Sequence, residues 1–371
     1  MKLDSSVLKK EDLAELRLRS LYESYGYSQY KMSKFEEYDL YVRNKSFLIS
    51  DSVITFTDTN GKLMALKPDV TLSIVKNTKD SQKGVQKVYY RENVYRVSQK
   101  SHAYKEILQV GLECLGSIDT YCIAEVLSLA AKSLDEISKD YILNVSHLGL
   151  LSALLGRIGI SEDIREELLE YISEKNTHDA YALCRRTGLA EERIAMLRSL
   201  IECDPQPAKS LPVIRSLVED AEWKKQVDAL GAVLTLLSPE HVRLDFSVVS
   251  DTRYYNGIVF QGYVNGVPER ILSGGQYDRL MERMNKKAGA LGFAVYLDRL
   301  ESLASAPSEY DVDTFLLYEA SLSPATVYQE TERLVKSGAS VMAGRERPEK
   351  LKYRRLLKLT ESGVQTLEEN A

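Results

Sequence analysis

Ser250-Asp-Thr-Arg-Tyr-Tyr-Asn-Gly-Ile-Val-Phe260, followed by Ser273-Gly-Gly-Gln-Tyr-Asp278 and Gly292-Phe-Ala-Val-Tyr-Leu-Asp-Arg-Leu300, decides the fold. Tyr254 and Tyr255 offer aromatic walls and hydroxyls, a surface suited to a flat polar ring. Gly274-Gly275 permits close backbone approach to a ligand. Each feature alone is an ordinary packing or turn element, and each gains weight from its neighbours. Around them, Val242–Val249 and Tyr254–Tyr263 read as strands. The Asn265-Gly266 turn leads back through a third, Val267–Leu272. Ala288-Gly-Ala-Leu-Gly292 precedes a helix carrying Arg299, and the Ser/Ala/Pro run Ser302–Ser308 marks a domain boundary.

Upstream, Glu11–Tyr25 repeats apolar side chains at helical spacing and stops at Gly26. Two short strands flank the Asn60-Gly61 turn, and Pro68 opens the next helix. Lys87–Arg96 and Tyr104–Gly116 read as strands. The second alternates cleanly, with Leu108, Val110, Leu112 and Cys114 on one face and Gln109, Gly111 and Glu113 on the other. From Asp119 to Leu236 the pattern is helical apart from a strand near Tyr141–Val145. It reads as one connecting helix plus a helical insertion over about 150–240. After the linker the tail reads strand (Thr314–Tyr318), helix (Pro324–Ser337), strand (Ala339–Ala343) and helix (Glu349–Glu361), a βαβα unit over 306–371. Its last helix would carry Lys350, Lys352, Arg354, Arg355 and Lys358. A solvated face is favoured over an RNA-binding one, because leucines are interspersed.

Composition narrows the function. The 371-residue chain carries a net charge of −5. A protein gripping a long nucleic acid usually shows a basic excess, so nucleic-acid binding is not expected. The four cysteines and four histidines show no metal-ligand spacing, so no metal and no disulfide is expected. The N-terminus lacks a signal-type apolar region, and no segment approaches the roughly 20 apolar residues of a membrane span. A cytoplasmic protein is the expectation.

The segments over residues 8–305 resemble, in the same order, those of the histidyl-tRNA synthetases. Leu66-Lys-Pro-Asp-Val-Thr71 looks like that family's Leu-Arg-Pro-Glu-Gly-Thr. The resemblance assigns Asp69 and Thr71 to the α-amino group of histidine. An ammonium needs such acceptors, although Asp69 also fits the cap of a helix N-terminus. Tyr95-Arg96 matches the opening of motif 2. Leu108-Gln-Val-Gly-Leu-Glu113 matches His-Gln-x-Gly-x-Glu, implying that Gln109 meets the amino-acid end and Glu113 recognises imidazole. A buried carboxylate selects for such a ring, because a substrate without that N–H leaves the charge unpaired. Tyr254 and Tyr255 match the imidazole-lining pair. Gly111, Gly274 and Gly275 are the pocket glycines. The fold this implies is α+β: a class II aminoacyl-tRNA synthetase-like antiparallel sheet flanked by helices, residues 1–305, with the helical insertion. A small C-terminal α/β unit, 306–371, resembles a truncated anticodon-binding domain.

Two departures set the functional expectation. Where the family has the arginine that holds the substrate carboxylate and ATP phosphate, this chain has Ser250. Arg253 would face the other side of a strand. Where the motif 3 pattern has glycine before its arginine, this chain has Tyr296, ahead of Arg299. The motif 2 loop runs Ser98-Gln-Lys-Ser-His-Ala-Tyr104 and holds no arginine. Losing a guanidinium aimed at developing charge removes much transition-state stabilisation. The pattern resembles the regulatory-subunit family of ATP phosphoribosyltransferase, synthetase paralogues. It implies a non-catalytic, cofactor-free subunit that binds L-histidine for feedback control of histidine biosynthesis. Its partner would be a short-form catalytic subunit, with a homodimer inside a hetero-oligomer. A divergent active synthetase, a ligand-free scaffold and an RNA-binding module are the alternatives.

Overall fold

The computed structural model describes residues 9–44, 53–78, 84–97, 102–249, 254–303 and 309–370. The chain divides into two compact units, Met1–Leu303 and Ala304–Ala371. The first unit begins with α1 (Lys10–Ser24), β1 (Ser28–Gln29), β2 (Phe35–Glu37), α2 (Tyr38–Arg43), β3 (Thr55–Thr57), β4 (Leu63–Leu66) and α3 (Thr71–Asn77). The long hairpin β5 (Val85–Val97) and β6 (Tyr104–Gly116), α4 (Thr120–Ile137) and β7 (Tyr141–His147) follow. Six helices form the insertion: α5 (Leu148–Ile158), α6 (Glu162–Ser173), α7 (Thr177–Arg186), α8 (Glu191–Ile201), α9 (Pro207–Ser216) and α10 (Ala221–Leu234). The chain then returns through β8 (Val242–Leu244), β9 (Ile258–Val264), β10 (Leu272–Gln276), α11 (Asp278–Arg283) and β11 (Gly289–Tyr296), and closes with a 3-10 segment, Leu297–Leu303.

Eight of these strands form one sheet in the order β1-β5-β6-β11-β10-β9-β7-β8, and the other three form a small sheet in the order β2-β4-β3. The edge pairs β1–β5 and β7–β8 of the large sheet are parallel, and its inner pairs are antiparallel. Alternation along the strands divides the faces. On one face Val110, Leu112, Cys114, Leu291, Phe293 and Val295 pack with Leu18 and Tyr22 of α1 and with Val126, Leu129 and Ala130 of α4. Each buried Val, Leu or Phe side chain among them stabilises the fold by about 1.5–3 kcal/mol. The opposite face carries Gln109, Gly111 and Glu113, and the register brings Gly111, Ala294 and Ser273 into one row across β6, β11 and β10. The α+β architecture with a synthetase-like antiparallel sheet, flanking helices and helical insertion is therefore present. Among the described residues no helix is long and apolar enough to cross a membrane.

Several elements differ from their sequence expectation. The helix after Pro68 starts at Thr71, because Asp69 accepts the Leu72 N–H (2.8 Å) and so caps it three residues later. Gly292-Phe-Ala-Val-Tyr296 is strand β11, and only Leu297 onward is helical. Tyr254 and Tyr255 precede β9, which begins at Ile258, and the return strand begins at Leu272. The expectation that Arg253 faces the other side of a strand falls on residues 250–253, which lie outside the described residues.

The second unit contains β12 (Val312–Tyr318), α12 (Pro324–Lys336), β13 (Val341–Gly344), β14 (Tyr353–Thr360) and β15 (Gly363–Glu369). They form a four-stranded sheet, order β13-β12-β14-β15. The expected final helix, and with it the βαβα reading, is corrected. Tyr353–Thr360 lies between β12 and β15, with Leu357 and Leu359 in one apolar cluster and Tyr353 and Leu356 in another. A register shift between Leu356 and Leu357 breaks the two-residue period and imitates helical spacing. The basic residues sit on or before a strand. Lys358 pairs with Glu319 (2.9 Å), Arg354 with Asp313 (3.8 Å), and Arg355 donates to the Thr314 hydroxyl (3.2 Å).

Candidate functional site

A cavity of about 300 Å³ opens on the polar face of the large sheet. That is the low end of the range for small-molecule sites. Asp69, Thr71, Arg96, Gln109, Glu113, Tyr254 and Tyr255 all line it, so residues from four separate segments converge. Tyr90, Arg270, Ser273, Tyr277, Gly292 and Tyr296 also line it.

Glu113 is the centre of the buried end. Its side chain rises from β6 and both oxygens are satisfied: Oε1 accepts from the Thr71 hydroxyl (2.8 Å) and Oε2 from the Tyr277 hydroxyl (2.6 Å). Burial pushes its carboxyl up to about 8, with the two hydroxyl bonds opposing and the Asp69 charge adding to the rise. Gly292, opposite Glu113 in the β6–β11 register, makes this possible: a Cβ there would run into the Glu113 carboxylate. The rings of Tyr254 and Tyr255 lie 4.6 Å apart at 61°, and those of Tyr254 and Tyr277 lie 5.8 Å apart. Burial holds the hydroxyls of Tyr90, Tyr254, Tyr255 and Tyr277 well above their usual pKa, so they remain neutral donors.

Asp69 is buried beside this group. Burial raises its carboxyl, against the Leu72 N–H, the Arg96 charge and the Thr71 N–H. Capping and pocket lining are thus compatible: one carboxylate holds the helix start and faces the cavity. Arg96, near the end of β5, donates from Nε to the Pro68 carbonyl (3.0 Å). Gly111 makes room for Tyr90, whose ring a Cβ would meet at 2.6 Å, and Gly275 makes room for the Tyr255 ring at 2.7 Å. Gly274 is not a pocket glycine. Adjacent strand residues alternate, so it faces the core, where a Cβ would meet Phe260 at 2.8 Å.

The other end is built differently. The Arg299 guanidinium lies over the Tyr296 ring (4.5 Å), pairs with Glu269 (3.2 Å) and donates to the Arg270 carbonyl. Tyr296 itself is buried against the cavity. Ser250, and Ser98 of the motif 2 loop, lie outside the described residues.

Residues 3–300 match the family described as Histidyl-tRNA synthetase. The chain belongs to that family. An ATP phosphoribosyltransferase regulatory subunit from Oceanobacillus iheyensis is 26% identical over 307 residues, covering 80% of this chain and 74% of the relative. A histidine–tRNA ligase from Methanocaldococcus jannaschii is 26% identical over 299 residues, covering 79% and 71%. Among solved structures, an ATP phosphoribosyltransferase regulatory subunit/histidyl-tRNA synthetase from Bacillus halodurans superposes with a TM-score of 0.76 at 21% identity, over 94% and 93% of the two chains. A chain of the Thermotoga maritima ATP phosphoribosyl transferase (HisG:HisZ) complex gives 0.61 at 19%, over 80% and 97%. The two structures share the class II fold of the histidyl-tRNA synthetase family.

Tyr90, Tyr277, Gly292 and Arg270 are among the wall residues that sequence reasoning misses. Tyr90 is within its reach: it lies six residues before Arg96, on the same face of one strand. Tyr277 and Gly292 sit inside the quoted motifs, but only the fold shows that both address Glu113. Arg270 belongs to no motif, and nothing in the sequence singles it out.

Proposed function

We propose that this chain is a non-catalytic regulatory subunit of ATP phosphoribosyltransferase that binds L-histidine and conveys feedback inhibition to a catalytic subunit. The observation that carries the reading is the Glu113 site. A carboxylate buried among Thr71, Tyr277 and the tyrosine pair, in a cavity of about 300 Å³, suits one small imidazole-bearing ligand. Asp69 would take the ammonium, and Gln109 the amino-acid end. The nucleotide end argues against catalysis: Ser250 stands at the arginine position, and Arg299 is engaged by Tyr296 and Glu269. The printed names of the Oceanobacillus relative and the Thermotoga complex support a catalytic partner. A homodimer within that hetero-oligomer belongs to the same proposal.

Histidine would act by shifting the population of conformers whose contact with the partner differs. The test is co-purification with a short-form catalytic subunit, with transferase activity measured across histidine concentrations. Inhibition that Glu113→Gln relieves is expected. Saturable histidine binding that leaves the activity of the complex unchanged would sink the proposal.

A second reading, a divergent histidyl-tRNA synthetase, is favoured by the retained Arg96 and Arg299 and by the ligase relative. Histidine-dependent ATP–pyrophosphate exchange separates the two, and no exchange above background is expected.

A further inference from the structure

We infer that Arg270 is the carboxylate clamp of this site, in place of the arginine that position 250 lacks. The inference rests on the histidine reading above and adds a residue to it. A zwitterionic amino acid brings three charged or polar ends into a small cavity. Glu113 meets the ring and Asp69 the ammonium, which leaves a carboxylate to be neutralised. Among the described residues two cations line the cavity, Arg96 and Arg270. Arg96 is already engaged: its Nε is bonded to the Pro68 carbonyl and its charge acts on Asp69, at the ammonium end.

Arg270 sits at the other side. It precedes β10 in the β9–β10 connection, and its charge reaches the Tyr255 hydroxyl. Among the described residues no acceptor pairs with its guanidinium. Its backbone is held in place: the Arg270 carbonyl accepts from Arg299, and the next carbonyl, that of Ile271, accepts from the Tyr296 N–H (2.8 Å). Glu269, the neighbouring acid, is turned to Arg299 instead (3.2 Å). The Tyr296–Arg299–Glu269 group thus anchors the segment that presents the Arg270 guanidinium to the cavity mouth. A planar guanidinium can grip a carboxylate through two parallel N–H bonds, which lysine cannot reproduce. The clamp comes from an exposed hairpin rather than from a buried strand.

The experiment is calorimetric titration of the full chain with L-histidine and with histamine, which keeps the ring and ammonium and lacks the carboxylate. Arg270→Ala should weaken histidine roughly tenfold to hundredfold and leave histamine unchanged, erasing the wild-type preference. Arg270→Lys should recover only part of it. Arg243→Ala, a cation of the neighbouring cavity, should alter neither ligand. Arg270 is exposed, so its variants should melt like the wild type. An unchanged histidine-to-histamine ratio in Arg270→Ala overturns the clamp, and so does an equal loss in Arg243→Ala. A wild-type chain that binds no histidine defeats the functional reading itself, a different outcome from either.

Discussion

The two ends of one cavity are held by different physics. At the Glu113 end every partner is buried and each carboxylate oxygen receives a hydroxyl proton. At the Tyr296 end the cation Arg299 points outward to the exposed Glu269, with 26% and 69% of the side chains open to solvent. Buried hydrogen bonds to a carboxylate are strong and costly to leave unmade, whereas an exposed ion pair contributes little. The difference shows which end can discriminate between ligands. The Glu113 end is fixed by buried hydrogen bonds, while the Tyr296 end holds its arginine through a ring contact and an outward ion pair.

The largest expected effect comes from removing the ionisable acid at the buried end. Glu113→Gln keeps the shape but weakens histidine roughly tenfold to hundredfold, as calorimetry would show, because an amide cannot give up a proton to become the strong acceptor of an imidazole N–H. Equal affinity in the variant would mean that the ring is not read there. Next comes Gly292→Ala. The new methyl overlaps the Glu113 carboxylate and the Leu112 carbonyl, so the strand or the acid must move. A stability loss of about 1–3 kcal/mol in urea unfolding is expected, together with weakened histidine binding.

The same end should govern the alkaline side of the stability curve. Glu113 has an ordinary value of 4.5 and a folded value of about 8. Between these the unfolded chain is ionised while the folded one holds its proton, so stability falls as pH rises through the window. His147 has the opposite sign. Burial lowers it from 6.5 to about 4, and its Nδ1 accepts the Leu150 N–H (3.1 Å) at the start of α5. Its contribution is present above 6.5 and lost as pH falls through 4. The two oppose each other below pH 6.5, and between 6.5 and 8 Glu113 acts without that opposition. Stability should fall there by about 1–2 kcal/mol, and Glu113→Gln should flatten it. A slope that survives in the variant would assign the titration elsewhere.

This asymmetry is partly legible in the sequence. The alternation of β6 alone puts Gln109, Gly111 and Glu113 on one face, because a half-packed strand repeats every two residues. The resemblance then supplies Asp69, Thr71 and the tyrosine pair. What escapes depends on distant pairing. Tyr277 and Gly292 address Glu113 across about 164 and 179 residues of chain, separations that no local period encodes. Gly292 through Tyr296 reads as an approach to a helix because its glycine and alanine are poor strand formers. The segment is strand because β6 and β10 flank it, and at Gly292 a larger residue would not fit. In the second unit Tyr353–Thr360 misleads for the converse reason: its consecutive Leu356 and Leu357 break the alternation, and the pairing absorbs them with a register shift.

The smallest effect belongs to the outer end, and it sharpens the contrast. Glu269→Gln breaks the ion pair to Arg299 but leaves the guanidinium its Tyr296 ring and the Arg270 carbonyl. An exposed pair of this kind contributes about 0–1 kcal/mol, so the melting temperature should barely move and histamine affinity should be unchanged. Histidine affinity should change by no more than about twofold to threefold, through any loosening of the segment that carries Arg270. A loss as large as that of Glu113→Gln would mean that the outer arginine cluster, and not the buried carboxylate, holds the ligand, and the contrast between the two ends would collapse.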